Sequence, residues 1–329
     1  MKLIQLLVLS ILIWSCNNKE KQVYETVYQE SSYGKQTEHP GKKLMETYCY
    51  VCHNPQTPEN TGRLAPPMVA IKMHYKNEDT TKEEFINQIV SYASNPTQEK
   101  AKLFGAVRKF GVMPKQQFPE DVLEKIAEYI YDYEIEEPEW FKDHMKGNGF
   151  GNFSQKGKKM TQSNVPKTLE DIGLEYALST KKVLGQHLMG SIQNKGTLEA
   201  VAFCNIKAMP LTDSMSKVHN AIIKRVTDKP RNPDNKANSE DLKYLNLYKS
   251  QIAVNQEVKP AIIEKQNKIQ FYYPITTNTM CLQCHGKESD IEPETKTKLL
   301  KLYPNDLAFG YSENELRGIW SIEFDKPKK

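Results

Sequence analysis

One five-residue pattern occurs twice in this chain, as Cys49-Tyr50-Val51-Cys52-His53 and as Cys281-Leu282-Gln283-Cys284-His285. Two thiols three positions apart, followed at once by an imidazole, make the pattern of c-type haem attachment. Each thiol forms a thioether to one vinyl group, and the adjacent His becomes the first axial ligand of the iron. With 6 Cys and 7 His in 329 residues, composition alone gives roughly 0.002 such runs, so two are not accidental. A zinc site made from the two C-x-x-C pairs leaves the following His unexplained in both copies. A redox dithiol needs neither that His nor a second copy. The sequence therefore implies two covalently bound haem c groups, on Cys49 with Cys52 and on Cys281 with Cys284, and makes His53 and His285 iron ligands.

Two porphyrins need two apolar pockets, and 329 residues suffice for two domains of ordinary size. Hydrophobic residues at 38% can supply the cores, while 26% charged residues keep the surfaces wet. The net charge of +4, from 45 basic and 41 acidic residues well interspersed, excludes nucleic acid as a partner. A mildly basic face could help dock an acidic one.

The chain opens with Met1-Lys2 and an apolar run from Leu3 to Trp14, ending in Ile13-Trp14-Ser15-Cys16. That run is too short for a bilayer span of about 20 residues. It resembles a bacterial lipoprotein signal peptide (1–16), in which cleavage before Cys16 leaves that thiol lipidated; an ordinary cleaved signal is the alternative. Either way the mature protein is expected to be exported, and with a lipid it is anchored to a bacterial membrane on the periplasmic side. Residues 17–37 are polar without an apolar period and read as a flexible tether. With Cys16 given to lipid and four cysteines to haem, Cys204 is left without a partner in an oxidising compartment.

Leu44, Met45 and Tyr48 stand at helical spacing just before the first motif. Beyond it come Ala65-Pro66-Pro67-Met68, then Gly111-Val112-Met113-Pro114-Lys115, then an amphipathic stretch Phe118–Tyr133. In that stretch Val122, Ile126, Tyr129, Ile130 and Tyr133 form the apolar face, and Pro119-Glu120-Asp121 form an acidic first turn. In this order the parts resemble class I cytochromes c over about residues 38–135. The resemblance implies an all-α domain in which a Pro loop follows the attachment motif, a Met-Pro-type segment supplies the second axial ligand, and the last helix packs on the first. It makes Met113 the sixth ligand of the first iron. Pro114 keeps Met113 out of helical conformation, whereas Met68, Met73 and His74 lie too close behind the motif for the family pattern. The competing reading is that Met113 is a core residue.

Residues 136–167, acidic and then glycine-rich, read as a linker, and a second domain is expected over 168–329. An amphipathic helix begins near Leu169 and reaches Ile192, with Gly173 as the place for a break. Lys224 to Asn238 reads as a turn-rich loop. The ordered motifs are Ala200–Asn205, Arg225–Asn235, Phe271–Ile275, the second C-x-x-C-H, Tyr303-Pro304 and Arg317–Ile322. They resemble a family of haem c-binding domains with a PAS-like fold, first catalogued as a domain of unknown function, over about residues 168–325. The resemblance implies an α+β domain, a mixed sheet flanked by helices, with the iron held by His285 on one side and Cys204 on the other. The competing fate of Cys204 is that of a small buried hydrophobe. Arg225 and Arg231 could pair with haem propionates or simply face solvent. Tyr272, Tyr273, Tyr311 and Trp320 are expected in the core, and His74, His144, His187 and His219 at satisfied or surface positions.

The whole is expected to be multi-domain. With two protein ligands on each iron, no position is left for substrate, so the expected role is that of an electron carrier between redox protein partners rather than an enzyme. A neutral thioether raises the potential and an anionic thiolate lowers it, which would send electrons from the second domain to the first. A haem-based redox or gas sensor is the alternative reading, and a dihaem peroxidase ranks below it.

Overall fold

The computed structural model describes residues 39–327, apart from 61, 117, 119, 120, 150–153, 161–166 and 257. The signal run with Cys16, the tether, and Pro119 and Glu120 of the expected acidic turn lie outside the described residues.

The first half is helical: α1 (Pro40–Tyr48), α2 (Met68–Tyr75), α3 (Lys82–Ser94), α4 (Phe104–Phe110), α5 (Val122–Asp132) and α6 (Phe141–Gly147). Local chemistry fixes the ends. α1 starts on Pro40, with His39 Nδ1 accepting from Gly41 N at 3.1 Å. α3 opens with a reciprocal capping box between Thr81 and Glu84. α5 buries Val122, Leu123, Ile126, Ala127, Tyr129 and Ile130, so the apolar face read from the sequence is the buried one. It begins only at Val122, because Asp121 takes a left-handed conformation (φ 63°). α1 crosses α5 at Gly41, where a Cβ would lie 2.0 Å from the Lys125 carbonyl oxygen, so only glycine allows the contact.

Met45, Val69, Phe85, Ile126, Ile130 and Phe141 form the centre of this core. The stretch read as a linker contributes to it. Phe141 and Met145, one helical turn apart on α6, are both buried there, and Trp140 Nε1 donates to Thr57 O at 2.9 Å.

The second half contains α7 (Leu169–His219), β1 (Ala221–Val226), α8 (Ser239–Ala253), β2 (Ala261–Lys265), β3 (Lys268–Thr276), α9 (Thr279–His285), α10 (Pro293–Leu302) and β4 (Leu316–Asp325). The strands order β1-β4-β3-β2. The mixed sheet expected from the family resemblance is not found: each of these strand pairs is antiparallel. Part of the reason is local, since Lys265 pairs with Lys268 across a two-residue hairpin with Gln266 at φ 45°, and such a turn can only reverse the chain. The sheet alternates with period two. Ile269, Phe271, Trp320 and Ile322 pack under α7, while Tyr272 and Ile319 pack under Leu245 and Tyr248 of α8. Tyr272, Tyr311 and Trp320 are buried as expected, and Tyr273 is half-buried.

Two local readings are corrected. α7 runs unbroken through Gly173, which is glycine because a Cβ would lie 2.2 Å from the Phe271 ring. The bend falls at Gly196 (φ 80°, ψ 169°), which folds α7 into a two-armed hairpin. The closure brings Tyr176 of the first arm into stacking with His219 of the second at 4.3 Å, and Ser179 Oγ within 2.7 Å of His219 Nε2. The turn-rich loop begins at Thr227 rather than Lys224, because β-branched and aliphatic residues carry β1 through Val226. Among the described residues no helix is long and apolar enough to cross a membrane.

Candidate functional site

Both C-x-x-C-H runs are presented on tight helical backbone. After α1 the chain makes one further turn, with His53 N donating to Cys49 O at 2.8 Å. The second run is α9 itself, capped by Asn278, whose side-chain oxygen accepts from Cys281 N at 3.2 Å and from Cys281 Sγ at 3.2 Å.

The two histidines share one arrangement. His53 Nδ1 stands 2.6 Å from Pro66 O, and His285 Nδ1 stands 2.9 Å from Ala308 O. A carbonyl can only accept, so the His53 Nδ1 carries the hydrogen. At His285 the Arg317 Nε, 3.3 Å from the same Nδ1, competes, and the shorter contact to Ala308 O favours the same tautomer, so each Nε2 keeps its lone pair. Desolvation lowers the pKa of His53. Burial, reinforced by the Arg317 and Arg231 guanidinium groups, puts that of His285 well below the usual value. Both rings are thus neutral with Nε2 available as a donor.

The four motif thiols are also protonated. Burial pushes Cys49 up to about 12 and Cys284 up to about 11, and raises Cys52 and Cys281 as well. A redox dithiol requires the opposite shift. No three His, Cys, Asp or Glu side chains converge as a metal cage among the described residues.

Around the second motif the loop Asp306–Tyr311 is tied down residue by residue. Tyr311 N donates to His285 O at 3.0 Å and Gly310 N to Gly286 O at 2.8 Å. Asp306, its side chain 0% exposed, accepts from Arg231 Nε at 2.6 Å and from Ala308 N at 2.8 Å. Arg231 Nη2 also donates to Cys284 O at 2.5 Å. This arginine therefore holds the loop against α9 instead of facing solvent.

Arg225 is placed differently. It stands opposite Trp320 on the sheet face that α7 covers, its charge is disfavoured by burial, and its Nε has no hydrogen-bond partner. Cys204, on the second arm of α7, lies within electrostatic reach of Arg225, Arg231 and Cys284. The unpaired cysteine of the sequence is thus brought to the second motif. Burial raises its pKa, and the two guanidinium groups oppose that rise.

Met113 is half-buried in the loop after α4, following Gly111 (φ 79°), and is not part of the first core. Of the alternatives, Met68 is buried in that core, Met73 packs against it, and His74 Nδ1 donates to Ala70 O at 2.8 Å. Sequence reasoning missed two residues. Arg317 places Nε 3.3 Å from His285 Nδ1 and is positioned by Thr227 Oγ1 and Lys229 O, each 3.3 Å from its Nη1. Lys181, an unremarked lysine in an amphipathic helix, lies within electrostatic reach of both Cys52 and Cys281. No local pattern marks Lys181, and the Arg317–Ile322 motif gave Arg317 no role, because each acquires its surroundings only when distant segments meet.

A family model described as Tll0287-like matches residues 115–324. Among solved structures, the chain is similar to one titled as the crystal structure of the cyanobacterial heme-protein Tll0287, at 18% identity and a TM-score of 0.37, over 47% of this chain and 96% of that one. No curated protein matches. The family match begins at Lys115, ahead of the 168–325 stretch on which the sequence resemblance rested. It takes in the second C-x-x-C-H, Cys204, Arg225 and Arg317 and spans well over half of the 329 residues, so the chain belongs to the Tll0287-like family.

Proposed function

We propose that this protein is an exported dihaem c-type cytochrome that carries electrons between redox protein partners, anchored to a membrane through a lipid on Cys16. The observation that carries this reading is the matched state of the two motifs. In both, the His donates Nδ1–H to a backbone carbonyl, which orients the ring and fixes its tautomer so that Nε2 can bind iron. The remaining atoms fit a haem c at each site. The thiols are unpaired and half-buried, and the partnerless Arg225 Nε lies among apolar neighbours where a carboxylate or thiolate would satisfy it.

Haem c supplies a one-electron iron couple when bound. Cys49 and Cys52 would hold the first group with His53 and Met113 as iron ligands, and the helical order of the first half, with Pro66 O on the His53 ring, supports the class I cytochrome reading. Cys281 and Cys284 would hold the second, with His285 and Cys204 on the iron. Cys204 would bind as the thiolate, and Arg225, within electrostatic reach, would offset its charge. Arg317 keeps His285 neutral, and Arg231 clamps the loop that carries Ala308. With a protein ligand assigned to each face of each iron, the chain is read as a carrier and not as an enzyme.

Protein matured in a host competent for cytochrome c assembly should give two haems per chain by pyridine haemochrome and by intact mass. Met113→Ala should abolish the long-wavelength charge-transfer band of a Met-ligated ferric haem and leave the other spectrum unchanged. Cys204→Ser should remove the thiolate signature. Fewer than two haems, or an unaltered spectrum in either variant, overturns the corresponding assignment.

A further inference from the structure

The arm of α7 before Gly196 touches both motifs. Gly185 packs so closely on Val51, inside the first motif, that a Cβ would meet Val51 Cγ1 at 2.9 Å. Lys182 Nζ donates to Gln56 Oε1 at 2.8 Å and stands 5.9 Å from the centre of the Tyr50 ring. Just past the bend, Thr197 Oγ1 donates to Gln283 Oε1, inside the second motif, at 3.0 Å. A second contact joins the two regions without α7: Thr279 Oγ1, at the start of α9, stands 3.0 Å from Lys115 O, two residues from Met113, and shares its one hydrogen between that carbonyl and Glu313 Oε1 at 2.6 Å. The two attachment sequences, far apart in the chain, are therefore held by one helix and by each other's loops.

Lys181 lies on the same arm next to Lys182 and one helical turn before Gly185, on the face that meets Val51 of the first motif. It is the cation common to the surroundings of Cys52 and Cys281. Its side chain is accessible to solvent, yet desolvation lowers its pKa, which is how a cation behaves in a recess walled by protein.

We propose that the two attachment sites open on one shared recess, and that Lys181, standing in it, raises the reduction potential of both haems together. The inference rests on the dihaem reading above. A fixed cation near an iron disfavours the additional positive charge of the ferric state, and in a poorly solvated recess that influence extends to a second iron as well.

The test uses the full-length protein with haem attached. Haem is counted first: fewer than two groups in the wild type defeats the underlying reading and this inference with it, whereas two isolate the inference. Potentiometric titration then compares wild type with Lys181→Gln, Lys181→Arg and, as a distant control on the same helix, Lys217→Gln. In Lys181→Gln both midpoint potentials should shift downward, while the other two variants keep wild-type values. A shift confined to one haem, no shift, or an equal shift in Lys217→Gln overturns the proposal. Should Lys181→Gln fail to mature, Soret circular dichroism of the wild type decides. A two-signed couplet is expected, lost in a Cys49→Ala/Cys52→Ala variant that carries the second haem alone, and a single-signed wild-type band overturns the shared recess.

Discussion

Two buried cations show how a single side chain separates structural from functional roles. Lys72 on α2 is 4% exposed, and its ammonium donates to Tyr133 O, tying α2 to the end of α5. Desolvation nonetheless lowers its pKa to about 8. Arg225 is half-buried against the sheet, but its buried Nε has no partner, and leaving such a donor unmade costs about 1–3 kcal/mol. Lys72 is explained by the fold, whereas the Arg225 Nε is left with a buried donor that the proposed haem site would pair with an anion. The lysine makes a sign-definite prediction. The unfolded chain binds its proton up to a pKa of about 10.4, and the native state releases it near 8, so between these values the unfolded state holds more protons. Stability contributed through Lys72 therefore rises with pH in that window and is constant below it. Compared with Lys72→Met, the wild type should gain up to roughly 3 kcal/mol between pH 8 and 10.5, measured by urea unfolding at each pH. A constant difference would show that Lys72 stays charged throughout.

Among the elements, glycines decide where helices may touch. At Gly41 the absent Cβ would meet both Lys125 O and Tyr129 Cβ, and no flexible side-chain tip can give way there. Gly41→Ala should destabilise the protein by about 1–3 kcal/mol through overpacking. Gly105, in α4 with open space around it, should tolerate alanine or gain up to about 1 kcal/mol. Paired thermal melts check both, and equal effects would mean that the α1–α5 crossing is looser than drawn. The same glycines mark what could be read from sequence. Periodic apolar residues announced α1, α5 and the start of α7, because those signals are local, whereas nothing in the second motif announced α9. Gly173 and Gly196 carry no such signal, for one is required by a Phe271 ring 98 positions away in the chain and the other by a sharp backbone reversal, and a one-dimensional pattern cannot distinguish them. α6 was hidden for a related reason, since its two buried residues are outnumbered by the acidic and glycine-rich neighbours that suggested a linker. At the sites the two C-x-x-C-H runs were legible, and the places of Arg317 beside His285 and of Lys181 near Cys52 and Cys281 were not.

Across the whole molecule, the proposed ligand sets would give the first haem a neutral thioether from Met113 and the second a thiolate formed from Cys204 on ligation, with side chains of α7 reaching towards both motifs. A thiolate stabilises ferric iron more than a thioether does, so the second haem should be the lower in potential and electrons should pass from it to the first. On the proposed reading Lys181 should move the pair without changing their order, whereas ligand identity should set the gap. Cys204→Met makes both sixth ligands thioethers. It should raise the potential of the second haem, leave that of the first within error, and so narrow the separation of the two steps in a potentiometric titration. The fall of the first step in Met113→Ala identifies which component belongs to which haem. If the second step stays put or moves down in Cys204→Met, thiolate ligation does not set the lower potential, and the direction of electron flow assigned from ligand charge fails with it.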